Sequence, residues 1–214
     1  MSESLAGQPL QLEARFTQAL DYALALHGRQ LRKGTHIPYI AHLLSVAALV
    51  IEDGGDEDQA IAGLLHDAPE DQGGMKVLEE IRDRFGERVA FIVDACTDTY
   101  ESPKPPWRVR KEQYMSRLPE LPLEVWRVSL ADKLHNLRSI RSALYEHGDQ
   151  VWERFNGGKD GTLWYYRSIL HIFQQKDFSP MVGEFSRTLS EIEHLSQSAD
   201  QFPDNTENQS SATG

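Results

Sequence analysis

The sequence predicts an all-α protein of about nine or ten helices, and three observations carry that expectation. Apolar residues recur at three- and four-residue spacing through most of the chain. Those stretches begin and end on helix signals: acids in a first turn, glycines at the close. No stretch alternates apolar and polar residues between hairpin turns, as a half-buried strand does.

The first helix lies in LEARFTQALDYALALHG, where Phe16, Ala19, Leu20, Ala23, Leu24 and Leu26 share the period and Gly28 can cap the end. PYIAHLLSVAALVIEDGG opens on Pro38, suited to a first turn, and stops at Gly54-Gly55. DEDQAIAGLLHDA carries acids where the helix dipole favours them, and Pro69 is expected to break it. MKVLEEIRDRFG and ERVAFIVDACTD read as two short helices around Gly86. ESPKPPW is a proline-rich loop, followed by helical WRVRKEQYMSRL and a long helix in PLEVWRVSLADKLHNLRSIRSALYEHG. TLWYYRSILHIFQQ and MVGEFSRTLSEIEHLS complete the set. These elements form one domain over residues 1–195. Residues 196–214 are polar, almost free of large apolar side chains, and expected to be a disordered tail.

Composition narrows the function classes. The chain has 214 residues with a formal net charge of −11. That acidity argues against nucleic acid or an anionic membrane as partner, because neutralising phosphates needs a basic face. A small phosphorylated substrate is still allowed, since a local basic pocket or a metal suffices. One cysteine, Cys96, permits no intramolecular disulfide. The start MSESLAGQPLQLEA has neither a basic nor an apolar region of a secretory signal. No run approaches the roughly 18 apolar residues of a membrane span. A cytoplasmic setting is the expectation; the oligomeric state is left open.

Four residues interrupt apolar patterns: His42, His66, Asp67 and Asp132. Burying an unpaired polar or charged group is costly, so something must compensate each. Separate compensation is one reading: a hydrogen-bonded core histidine, or an aspartate paired with Lys133 or Arg138. The other is a single cation shared by two imidazoles and two carboxylates. Such a set, without cysteine, suits Mn, Fe, Mg or Zn with bound water rather than a closed structural zinc site. Glu70 and Asp71 follow Pro69. Beside a metal they would orient or deprotonate water; otherwise they are a solvated acidic turn.

Three stretches in order, His42, then His66-Asp67, then a distant Asp132, resemble the HD-domain phosphohydrolases. RKGTHIPYIAH, AGLLHDAPED and SLADKLHNLRS are similar to stretches of the RelA/SpoT-type alarmone hydrolases. The match runs from about Phe16 to Tyr145, and the chain looks like a small stand-alone member. The resemblance implies a single HD-domain helical bundle that removes pyrophosphate from the 3′ position of (p)ppGpp, giving GDP or GTP. It implies Mn²⁺ on His42, His66, Asp67 and Asp132. It implies water and leaving-group chemistry at Glu70 and Asp71, and nucleotide contacts from Arg32, Lys33, Asn136 and, more loosely, Ser139. Asp132, Asn136 and Ser139 stand at i, i+4 and i+7, one helix face. His135 beside them is expected to hydrogen-bond rather than ligate.

The chain departs from the pattern in places. Ala68-Pro69 fills the middle of the acidic motif, no proline follows His42, and Ser139 replaces a threonine. The stretch YESPKPPWRVRKEQY has no counterpart; its Arg108, Arg110, Lys111 and Tyr114 are either groups reaching toward substrate phosphates or, the favoured reading, ordinary loop and surface residues. The alternatives are a related phosphohydrolase acting on a 3′-pyrophosphorylated adenosine nucleotide or the 2′-phosphate of NADPH, and a non-catalytic alarmone-binding module. Removing an alarmone is also compatible with neutralising a toxic synthetase.

Overall fold

A computed structural model describes residues 10–176 and 179–201, and among them it contains ten α-helices and two 3-10 segments. The single β-type pairing among the described residues is the bridge between Leu31 and Pro38. The all-α expectation holds. The chain divides into two compact units, Met1–His135 and Asn136–Gly214, where one domain was expected, and the division falls inside one long helix.

The first unit begins with α1 (Ala14–His27), α2 (Ile40–Glu52) and α3 (Glu57–Leu65). Asp56 caps α3 by accepting from the Gln59 amide, and Glu57 and Asp58 follow in the first turn. α3 is nearly all buried because it lies between other helices: Ile61, Leu64 and Leu65 are fully enclosed. Each such aliphatic side chain contributes about 1.5–3 kcal/mol of burial. Gly63 lets α3 approach α2 closely; a Cβ there would stand 3.1 Å from the Ala47 Cα.

α3 does not run to Pro69. It ends at Leu65, and Pro69 instead sits in the first turn of a short helix, α4 (Ala68–Gln72). A first turn needs no amide donor from proline, whose fixed φ suits a helix start. Pro38 departs in the other direction: α2 starts two residues later, while Pro38 pairs with Leu31 to close the preceding turn.

α5 (Met75–Phe85) and α6 (Glu87–Cys96) meet at Gly86, whose φ of 94° lies where glycine is favoured. After a proline-rich connection come α7 (Trp107–Arg117) and α8 (Leu123–His147). Buried Trp126 on α8 donates to the Leu118 carbonyl at 2.7 Å.

The second unit contains the end of α8, a 3-10 segment over Gly148–Arg154, α9 (Gly158–Phe173) and α10 (Pro180–Gln201). Its core is aromatic: Phe173 and Phe185 meet edge-on with centroids 6.2 Å apart, beside Tyr166. α10 continues to Gln201, past the expected tail boundary at Ser196. The remainder of that tail, 202–214, lies outside the described residues. No helix among the described residues is long and apolar enough to cross a membrane.

Candidate metal and catalytic site

The three strands of the sequence motif converge in the first unit. His42 comes from the first turn of α2, His66 and Asp67 from the junction between α3 and α4, and Asp132 from α8. The helix break at His66-Asp67 lets both neighbours face the same point, which consecutive residues in an unbroken helix do not do. Ligand atoms of His42, His66 and Asp67 all lie within 4.8 Å of one another. His42 Nε2 is 3.4 Å from Asp67 Oδ2 and 3.3 Å from Asp132 Oδ1. His66 Nε2 is 3.0 Å and 3.7 Å from the same two oxygens. Asp132 thus reaches both imidazoles, while its other oxygen bonds Lys133.

Hydrogen bonds fix which nitrogen faces inward. His66 Nδ1 donates to the Gly63 carbonyl at 2.9 Å, so the Nε2 lone pair points at the carboxylates. His42 Nδ1 is 2.7 Å from His135 Nδ1, the structural contact expected of His135. His66 Nε2 is buried and turned toward those two carboxylate oxygens. A lone pair facing carboxylate oxygens is repulsive unless a proton or a cation lies between them. Two nitrogens and two oxygens around that point fit a divalent ion with open positions.

With no cation between them, a proton on His66 would do that work. Burial favours the neutral ring, yet Asp67 and Asp132 outweigh it and hold the His66 imidazole well above its ordinary 6.5. Burial likewise opposes the charge on Asp67, but His66 and His42 hold that carboxyl well below the ordinary range. The paired proton stabilises the metal-free fold below pH 6.5 and its contribution is lost as pH rises through the raised value. A metal must displace it, so metal affinity increases with pH.

The two acids of α4 are held by different partners. Glu70 accepts from Lys104 Nζ at 2.8 Å and from the Asp98 amide at 3.2 Å. Asp71 accepts from Gln30 Nε2 at 2.8 Å. Partial desolvation and the Asp67 charge hold the Asp71 carboxyl above its ordinary range, as suits a base. These acids lie in the short helix α4 rather than in a turn, Glu70 half-buried and Asp71 exposed.

Arg32 and Lys33 occupy a tight turn closed by the Arg32 amide to the Ile37 carbonyl, 2.9 Å. The Arg32 guanidinium lies 6.0 Å from the Tyr39 ring centroid. Asn136 and Ser139 continue the Asp132 register along α8, and both are half-buried residues of the second unit.

The segment after α6 corrects one expectation. Arg110, Lys111 and Tyr114 are not surface residues. Arg110 is 8% exposed and pairs with Asp98, as does Lys111 at 3.2 Å. Buried Tyr114 shares a hydrogen bond with Ser129. Only Arg108 is the solvent-facing residue expected, beside Glu112 at i+4.

Sequence reasoning missed Tyr39, whose hydroxyl donates to Asp67 Oδ2 at 2.6 Å. It stands three residues before His42, one helical turn away, which was the available signal. Gln30 and Asp98 carried no signal.

The fold and this His/Asp centre define the class. The HD domain family model matches residues 19–163, and the chain belongs to that family. Among its relatives is the guanosine-3′,5′-bis(diphosphate) 3′-pyrophosphohydrolase MESH1 of Xenopus tropicalis, 38% identical over 131 residues, 60% of this chain and 70% of that one. The human protein of the same name is 35% identical over 175 residues, 76% of this chain and 95% of its own. The solved structure of a metazoan ortholog of SpoT that hydrolyzes ppGpp shares the fold, with a TM-score of 0.65 at 23% identity, covering 86% of this chain and 96% of that one.

Proposed function

We propose that the protein is a metal-dependent 3′-pyrophosphohydrolase of (p)ppGpp, releasing pyrophosphate and leaving GDP or GTP. One observation carries the reading: the buried Nε2 of His66 faces two carboxylates, 3.0 and 3.7 Å away, one helix turn from Glu70 and Asp71. The chain spans nearly the whole of a human relative named for that activity. His42, His66, Asp67 and Asp132 hold the ion, which we take to be Mn²⁺. When bound, it supplies positive charge against the phosphate and a more acidic water.

The protein's own groups do the rest. Glu70 or Asp71 orients a water and accepts its proton. The water oxygen attacks the phosphorus bonded to the 3′ oxygen, that phosphorus–oxygen bond breaks, and the 3′ oxygen takes up a proton. Arg32 and Lys33 offset the substrate's charge, which an acidic protein needs locally. Asn136 and Ser139 contact the nucleoside; their assignment rests on helix register and on the family resemblance. The cytoplasm is the setting we propose.

The test is purified protein with Mn²⁺ and ppGpp, products separated by chromatography, with NADPH in parallel. GDP and pyrophosphate, abolished by EDTA, is the expected result. Phosphate from NADPH without ppGpp turnover moves the substrate to the alternative. Metal-loaded protein inert on both overturns the reading.

A further inference from the structure

The Asp71 carboxylate does not stand alone. Its Oδ2 accepts from Gln30 Nε2 at 2.8 Å. The same amide's Oε1 faces two nitrogens, His27 Nδ1 at 2.7 Å and Gln72 Nε2 at 2.6 Å. This fixes which end of the amide is which. Reversed, the Gln30 oxygen would face a carboxylate oxygen and its NH₂ would face the Gln72 NH₂. His27 must therefore donate from Nδ1. Its Nε2 is buried and without a partner, so a proton there would be an unsatisfied donor.

His27 is also fixed by packing. It is 1% exposed at the C-terminal end of α1 and stacks on Tyr39, centroids 5.4 Å apart and planes 20° from parallel. Tyr39 in turn donates to Asp67. One buried imidazole thus braces two arms: through Gln30 it holds Asp71, and through the Tyr39 ring it backs the hydroxyl on the ligand Asp67. The bonds to Asp71 and to Asp67 span 41 and 28 residues of sequence.

We propose that Gln30, braced by His27 and Gln72, is a positioning residue for the Asp71 carboxylate, locking the rotamer from which Asp71 acts on water. The inference rests on the role given to Asp71 above. A carboxylate with one oxygen tethered keeps a single rotamer and leaves the other oxygen free to act. Without the tether it turns toward bulk solvent, where Asp71 is already exposed. Misplacing a catalytic group by about 1 Å costs on the order of 10²-fold in rate.

The test compares wild type with Gln30→Leu, Gln30→Glu and His27→Phe, each assayed for kcat, KM and bound Mn²⁺, with crystal structures of wild type and Gln30→Leu. Gln30→Glu keeps the volume and the acceptor for His27 and Gln72 but removes the donor to Asp71. His27→Phe keeps the stack on Tyr39 but removes the donor to Gln30. The expected result is kcat lowered about 10²-fold in both Gln30 variants and less in His27→Phe, with KM and metal content within about twofold of wild type. Asp71 should leave its rotamer in the Gln30→Leu crystal structure. A kcat unchanged in Gln30→Glu, or Asp71 unmoved in Gln30→Leu, overturns the proposal. So does a parallel loss of metal and kcat in every variant, the mark of a merely structural residue. If Gln30→Leu does not fold, the Gln30→Glu kinetics and crystal structure decide. A wild type inert on ppGpp refutes the substrate reading instead; the tether is then judged by the Asp71 rotamer alone.

Discussion

The His/Asp centre and the acidic pair four residues along the chain solve the charge problem in opposite ways. In the centre, His42, His66, Asp67 and Asp132 compensate one another, and their partners are mostly groups of the same cluster. Glu70 and Asp71 are compensated from outside: by Lys104, the Asp98 amide and Gln30, from segments between helices, and by Arg110 of α7, 4.0 Å from Glu70. A self-compensated cluster tolerates burial because each charge meets an opposite one. An externally held pair stays partly open to water, as groups that must handle water and a leaving group require.

That contrast can be broken deliberately. The largest effect is expected from Asp67→Ala. It removes the oxygen facing both imidazoles and the acceptor for Tyr39, so metal content and turnover should both fall to background by elemental analysis and assay. Helical circular dichroism should be largely kept. Full metal occupancy in this variant would remove Asp67 from the ligand set.

Next come Glu70→Gln and Asp71→Asn. Each keeps its shape and lies outside the cluster, so bound metal should be unchanged while kcat drops about 10²–10⁴-fold. Equal loss of metal in these variants would erase the distinction between the two regions. The smallest effect belongs to Lys104→Ala. Its side chain is 44% exposed beside Glu70, and such a surface pair contributes only ~0–1 kcal/mol. The melting temperature should barely move, and the salt dependence of turnover should flatten. A large fall in stability would mean that this pair is structural.

The same contrast explains what was legible in the sequence. The helices were, because apolar periodicity is local; even the 25 residues of α8 follow it. The members of the His/Asp cluster stood out too, since each polar residue broke an apolar stripe. What failed was the reading of proline as a stop at Pro69, because the same ring that ends a helix also starts one. The partners of the acids were hidden for another reason. Gln30 and Lys104 lie 41 and 34 residues from the acids they hold, in turns with no period, so nothing local marks them. Arg110 and Lys111 read as surface charges because only the fold brings them to Asp98.

The close approach at Gly63 bears on how such a centre drifts through descent. The gap between the helices that carry the two histidines is gauged there by main chain against main chain, not by the girth of side chains. A single methyl at Gly63 would press on the Ala47 Cα, and helix α2 would have to yield. The spacing of the two helices that lead to the histidines is thus set by a hydrogen atom on a residue outside the cluster.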